Sequence, residues 1–297
     1  MKQLALWLAT SVVALTLLPA AAEEAPKPEI KVTPVKGTLY SFSGRGGNVT
    51  ASIGEDGVLL VDANYGETAS AYDEKIRELA GDGAVPRFLV NTHWHFDHTG
   101  GNQFFAERGS VIIAHENIRA RMSTRQEMKR LNRVMEPSPK AALPVVTYGD
   151  SVALHFNGDD IEVRHYPRGH TDGDSVLYFA AANVVHVGDI LFTARFPFVD
   201  IESGGNVFNL IENVADILRR IDDQTVVIAG HGAITDKAGL ADYHRMLVAT
   251  SEQVKAALAD GKSVDEITAA GLGDEWDSWG TGFIDEASWI SFIAGSL

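Results

Sequence analysis

Apolar residues in this 297-residue chain fall mostly into short runs with strand spacing, interrupted by a few stretches with helical spacing. Runs over Thr38–Ser43, Asn48–Ile53 and Val58–Asp62 predict strands, the first two joined as a hairpin through Gly44, Gly46 and Gly47. Ala69, Tyr72, Ile76 and Leu79 recur at helical intervals and predict a helix. Further strands are expected over Phe88–Asn91, Val111–Ala114, Val145–Tyr148, Ser151–Phe156, Ile161–Tyr166, Ser175–Phe179, Val184–Val187 and Thr225–Ala229. Apolar positions from Val207 to Ile221 and from Leu240 to Leu258 mark two longer amphipathic helices. Strand-rich halves that each carry helices predict sheets packed together and covered outside by helices, an α+β arrangement.

The amino-terminal pattern differs. Lys2, an apolar stretch from Leu4 to Leu18, Pro19 and the small residues Ala20–Ala22 read as a secretory signal peptide over residues 1–22, cleaved before Glu23. A periplasmic or secreted location follows from that reading. The stretch is short for a membrane span, and no other long apolar run exists, so no span is expected. Residues 23–34 carry Pro26, Pro28 and Pro34 and read as an extended linker. Residues 35–297 are then a single domain, with C-terminal helices from about residue 237.

Composition narrows the chemistry. With 25 Lys and Arg against 40 Asp and Glu, the net charge of −15 argues against nucleic acid as a partner and leaves a small-molecule substrate. There is no cysteine, hence no disulfide framework and no thiolate, and any metal must be held by His, Asp or Glu. The glycines at 44–47 do not form a phosphate cradle, because no Gly-Lys-Ser/Thr follows them.

The most informative stretch is His93-Trp94-His95-Phe96-Asp97-His98, on a loop leaving the strand that ends near Asn91. Imidazole and carboxylate are the ligands a zinc-like cation takes. Extended spacing would point His93, His95 and Asp97 to one side, with a turn bringing His98 round. Residues on one loop cannot surround an ion, so further ligands are expected at other strand ends: His170, Asp189 and His231, each directly after a glycine.

The set His-x-His-x-Asp-His, Gly-His-Thr, Gly-Asp and Gly-His-Gly resembles the metallo-β-lactamase superfamily, in order, from about Tyr40 to His231. The resemblance implies an αββα sandwich of two mixed sheets flanked by helices, with a dinuclear site at one edge. It implies that His93, His95 and His170 hold one cation, that Asp97, His98 and His231 hold a second, and that Asp189 bridges them. Two Zn²⁺ are the implied cofactors, another divalent metal being the alternative, with a metal-bound hydroxide as nucleophile and Asp97 orienting it. Within the β-lactamases proper, Gly205-Asn206 is similar to an element whose amide helps hold the carbonyl oxygen, so Asn206 joins Asp97 and Asp189 as a catalytic candidate. The glycine hairpin is similar to a loop that covers their site.

The departures are equally definite. Asp189 stands where common β-lactamases have cysteine or serine, which looks like the wider superfamily of lactonases and thioesterases. No lysine follows it to clamp a substrate carboxylate, and Arg195 is the nearest cation. The expected activity is opening of a cyclic amide or ester, β-lactams included, with lactonase or thioesterase as the alternative. A mononuclear-iron persulfide dioxygenase and a non-catalytic metal protein rank lower.

Other features take ordinary readings. His115 is expected to cap a helix, His186 to be a hydrogen-bonded core residue, and His155, His165 and His244 to be surface or satisfied residues. Trp94 and Phe96 should pack beneath the site. Arg121, Arg125, Lys129 and Arg133, four residues apart, read as a solvated basic face of one helical segment, with anion steering or contact with anionic lipid as the functional alternative. Trp276, Trp279, Phe283, Trp289 and Phe292 are expected to dock terminal helices onto the core.

Overall fold

The computed structural model describes residues 28–297. The expected signal peptide lies outside the described residues, as does the expected linker before Pro28. The chain opens with Lys31–Pro34 (β1), Leu39–Ser43 (β2), Val49–Gly54 (β3), Gly57–Val61 (β4), helix Ala69–Ala80 (α1) and Pro86–Val90 (β5). Short helices Phe96–Thr99 (α2) and Asn102–Ala106 (α3) precede Val111–His115 (β6) and Glu116–Met122 (α4). A separate two-stranded hairpin, Gln126–Met128 (β7) and Arg133–Met135 (β8), leads to Val146–Tyr148 (β9), which completes the first sheet in the order β1-β2-β3-β4-β5-β6-β9.

The second sheet has the order of the chain: Ser151–Phe156 (β10), Asp159–His165 (β11), Ser175–Phe179 (β12), Val184–His186 (β13), Val226–Ile228 (β14) and Thr235–Asp236 (β15). Helix Val207–Arg220 (α5) crosses between β13 and its parallel neighbour β14. Helices Lys237–Ala259 (α6), Val264–Ala270 (α7) and Glu286–Gly295 (α8) end the chain. Both sheets are mixed: β4, β5, β6 and β9 are parallel, whereas β1 to β4 and β10 to β13 are antiparallel.

Strand periodicity builds the layers. In β4, Leu59 and Val61 face the second sheet while Val58 and Leu60 face α1, so both faces of the strand are covered. The inter-sheet layer joins Leu59, Val90 and Ile113 to Ile161, Leu177 and Ile228. An outer layer sets Phe42, Val49 and Ile112 against Tyr72, Ile76 and Phe105. The opposite one sets Val185 and Val227 against Leu210, Val214, Leu240, Leu247 and Trp289. The result is the expected αββα sandwich.

Two expectations are corrected. Residues 31–34 are not linker: β1 pairs antiparallel with β2, and Val32 packs on the outer apolar layer, a gain that outweighs the proline-rich composition. The basic residues do not share one helix. The hydroxyls of Ser123 and Thr124 bond back to the carbonyls of Arg119 and Ala120 and close α4, after which the chain turns into the β7–β8 hairpin. Arg121 pairs with Asp172 at 2.7 Å, Arg125 pairs with Glu127, and Arg133 lays its guanidinium on the Phe96 ring at 3.7 Å.

Candidate metal centre

The loops leaving the carboxyl ends of β4, β5, β13 and β14, with the β11–β12 loop, converge on one edge of the sandwich. That edge is where α/β sheets present ligand-binding residues. Two groups of possible metal ligands form there: His93, His95, His170 and Asp189, and Asp97, His98 and His231. The extended spacing holds for His93 and His95 only. At Phe96 the chain turns helical, so Asp97 leaves that line and joins His98 and His231.

Asp189 lies between the groups. Its Oδ2 is 3.7 Å from His93 Nε2, 3.4 Å from His170 Nε2 and 3.4 Å from His231 Nε2, and its Oδ1 is 3.1 Å from His98 Nε2. Asp97 Oδ2 is 3.3 Å from His231 Nε2 and 3.8 Å from His98 Nε2. Glycine makes this convergence possible. A Cβ on Gly230 would collide with Asp189 Oδ1, and one on Gly47 would collide with the His98 ring. The glycine hairpin therefore lies against the ligand cluster, with Asn48 anchoring it to the β14 loop through Ala229 O and Gly232 O, both at 2.9 Å.

Four of the rings are oriented by a partner on the far nitrogen. His95 donates Nε2–H to Asp200 Oδ2 at 2.8 Å, and His170 donates Nδ1–H to the Phe198 carbonyl at 2.7 Å. His98 donates Nδ1–H to Asp62 Oδ2 at 2.7 Å. His93 Nδ1 is 3.1 Å from Thr92 Oγ1, which itself donates to Asp62 Oδ2 at 2.7 Å. These partners fix the tautomers and turn the remaining lone pairs inward. His95 Nδ1 and His170 Nε2 then face each other at 2.9 Å, lone pair against lone pair, and buried His93 Nε2 has no hydrogen-bond partner.

Such a cluster calls for positive charge. Burial opposes protonation of His98 and His231, but Asp189 above all, with Asp97 beside both and Asp62 beside His98, pushes both up, His231 to about 9. Burial holds His93 well below the ordinary imidazole range and His170 down to about 4. Asp97 falls to about 2, because His98 and His231 outweigh its burial. Seven inward-facing nitrogen and oxygen donors, with an orphaned buried nitrogen, fit divalent metal of the kind that imidazole and carboxylate hold.

Above the centre opens a cleft of about 410 Å³ that reaches His95, Asp97, Asp189 and His231 and also Gly46, Tyr65, Phe96 and Arg195. Trp94 packs in the core beneath the site, whereas Phe96 lines the cleft. Asn206 is corrected as a catalytic candidate. Its Oδ1 caps α5 by accepting from Phe208 N and Asn209 N, and its Nδ2 donates to Ser296 O at 2.8 Å, so its amide is occupied away from the cleft. His115 caps α4 through Asn117 N, and His186 meets Thr50 Oγ1 at 2.8 Å, as expected of both.

Sequence reasoning missed Asp62, Thr92 and Asp200. Asp62 carried a usable signal, an acid ending a buried strand in the same manner as the ligands. Asp200 carried none, because it reaches His95 only through the folded loop after β13.

The sequence profile of the metallo-beta-lactamase superfamily matches residues 43–232. A hydroxyacylglutathione hydrolase of Erythrobacter litoralis is 32% identical over 142 residues, 46% of this chain and 48% of that protein. The chain thus spans about half the length of that relative. The probable metallo-hydrolase YqgX of Bacillus subtilis is 27% identical over 186 residues, 62% of this chain and 84% of that protein. The crystal structure of DIM-1 metallo-beta-lactamase superposes with a TM-score of 0.59 at 20% identity, covering 74% of this chain and 97% of that one, which shows the shared fold.

Proposed function

The chain belongs to the metallo-beta-lactamase superfamily and is a metal-dependent hydrolase, and on that premise we propose that it uses two zinc ions to hydrolyse an acyl bond in a small molecule. The observation that carries the reading is Asp189, a single carboxylate within 3.1–3.7 Å of imidazoles from both ligand groups. Bound there, the cations would supply Lewis acidity, polarising a carbonyl and making water acidic near neutral pH. His93, His95 and His170 would hold one, Asp97, His98 and His231 the other, with Asp189 shared.

The chain's own groups do the rest. Asp97, half-buried on the cleft floor, accepts a hydrogen bond from the attacking water and orients it. The water oxygen joins the acyl carbon, the bond to the leaving oxygen, sulfur or nitrogen breaks, and the proton leaves with that atom. Arg195, on the cleft wall, forms no ion pair among the described residues and is placed to meet a substrate carboxylate. The shared aspartate favours lactones, esters and thioesters over β-lactams, in keeping with relatives named hydroxyacylglutathione hydrolase.

Turnover of a panel of β-lactams, lactones, esters and thioesters by the purified zinc-loaded protein tests the proposal, together with metal analysis. We expect about two zincs per chain and turnover of an ester, lactone or thioester; one iron per chain, or no turnover of any member, would overturn it. The proposal includes export. The mature protein should begin at Glu23, and amino-terminal sequencing of the natively expressed chain that finds Met1 retained would remove that part.

A further inference from the structure

The walls of the cleft carry more specific information than its floor. Three elements build them, and apart from Arg133 and Arg195 what they offer is apolar. From the β7–β8 hairpin come Met128 and Leu131. From the loop after β13 come Phe192, stacked on His231 with centroids 4.9 Å apart, and Phe198, whose ring lies 5.7 Å from that of His95. From the segment before α8 comes Phe283, 69% exposed, which meets Phe198 edge-on with centroids 6.4 Å apart and extends the wall that Phe198 begins. Phe283 lies beyond the residues matched by the family profile, so this wall is supplied by the chain's own C-terminal part.

A contiguous apolar lining in a concave cleft marks a binding surface, and Phe283 is part of such a lining rather than a lone exposed residue. Here the apolar walls are continuous with the metal centre, so their occupant is a part of the molecule whose bond lies at that centre. A small polar acyl group would leave them in water.

We infer that the substrate carries an extended alkyl or aryl group, seated against Leu131, Phe198 and Phe283 while its acyl bond rests over Asp97 and Asp189. The scissile bond in this statement rests on the hydrolase reading above; the apolar occupant does not.

The test uses the zinc-loaded full-length protein in two arms. In the first, calorimetry measures binding of unbranched carboxylates from butanoate to dodecanoate, the products that hydrolysis would release. Affinity should rise about fourfold for each added methylene until the cleft is filled, with a negative heat-capacity change. Phe283→Ala and, independently, Leu131→Ala should each flatten that slope. In the second arm, kcat/KM for aryl esters of the same acids should climb with chain length.

Affinity that is flat or falls with chain length overturns the inference. So does a Phe283-dependent dimer in sedimentation with a flat slope, because Phe283 then covers a second copy. Steep binding without turnover of any ester sinks the hydrolase reading and leaves the apolar occupant standing. Turnover confined to short or hydroxyacyl substrates does the reverse.

Discussion

Asp62 touches neither the cleft nor any inward-facing nitrogen, yet it orients one ligand of each group. Its Oδ2 accepts from His98 Nδ1 and from Thr92 Oγ1, which lies against His93, and its Oδ1 accepts from Thr92 N at 2.8 Å. It sits in the left-handed region at φ 63°, where asparagine is also at home. Asp62→Asn should therefore keep the backbone while presenting an amide N–H toward at least one of these three donors. Metal affinity or turnover should fall about 10- to 100-fold, the usual cost of removing such a partner. Zinc titration against a chromophoric chelator reads this directly, and an unchanged affinity would take Asp62 out of the centre. At this scale the ligands were legible because imidazoles and carboxylates at strand ends have few other uses. Their supports were less so: a bond between Asp200 and His95 spans 105 positions, and no local pattern encodes it. Asn206 shows the opposite error, a residue whose neighbours resembled a substrate contact but which sits at a helix start, where capping claims its side chain.

Elements were legible where burial enforced periodicity. The strands buried on both faces, β4, β5 and β13, stood out as apolar runs, and α5 as an amphipathic helix, with boundaries off by a residue or two. β1 and the β7–β8 hairpin were missed because they are short and polar and are held by pairing more than by burial. One junction of elements makes a pH prediction. His115, at the end of β6, stacks on His165, at the end of β11, with centroids 3.7 Å apart and planes 13° from parallel. Burial first, then the neighbouring imidazole, pushes His115 down to about 4 against weaker opposing effects of the Gly149 backbone, Asp172 and Asp150, and burial lowers His165 despite the Asp174 backbone, Asp172, Asp150 and Glu116. The unfolded chain takes up protons near the ordinary histidine value of about 6.5, which the folded chain refuses. Stability from this junction is thus complete above about pH 6.5 and is lost as pH falls toward 4. Urea unfolding at pH 7 and pH 5 should show a loss of about 1–2 kcal/mol that His115→Asn reduces. Asparagine caps a helix as well as histidine does, so the comparison isolates the titration. An equal loss in both proteins would assign the acid sensitivity elsewhere.

At the scale of the whole molecule, the metal centre is also a joint. His93, His95, Asp97 and His98 come from a loop of the first sheet, whereas His170, Asp189 and His231 come from loops of the second. A cation held by both sets ties the two halves of the sandwich together at an edge where the inter-sheet apolar layer gives way to polar side chains. Ligands that bind only the folded state stabilise it by mass action, by about 4 kcal/mol when free metal exceeds the dissociation constant a thousandfold. Chelation removes that contribution and leaves inward-facing lone pairs and buried carboxylates without a cation. The melting temperature of the zinc-loaded protein should therefore drop by several degrees on treatment with a chelator and recover when zinc is restored. Hydrogen exchange should show the loosening concentrated in the loops after β5, β13 and β14, with α1 and α6 little affected. Equal melting temperatures with and without chelator, at confirmed loss of metal, would mean that the sandwich closes without the ions and that the seven residues answer to catalysis alone.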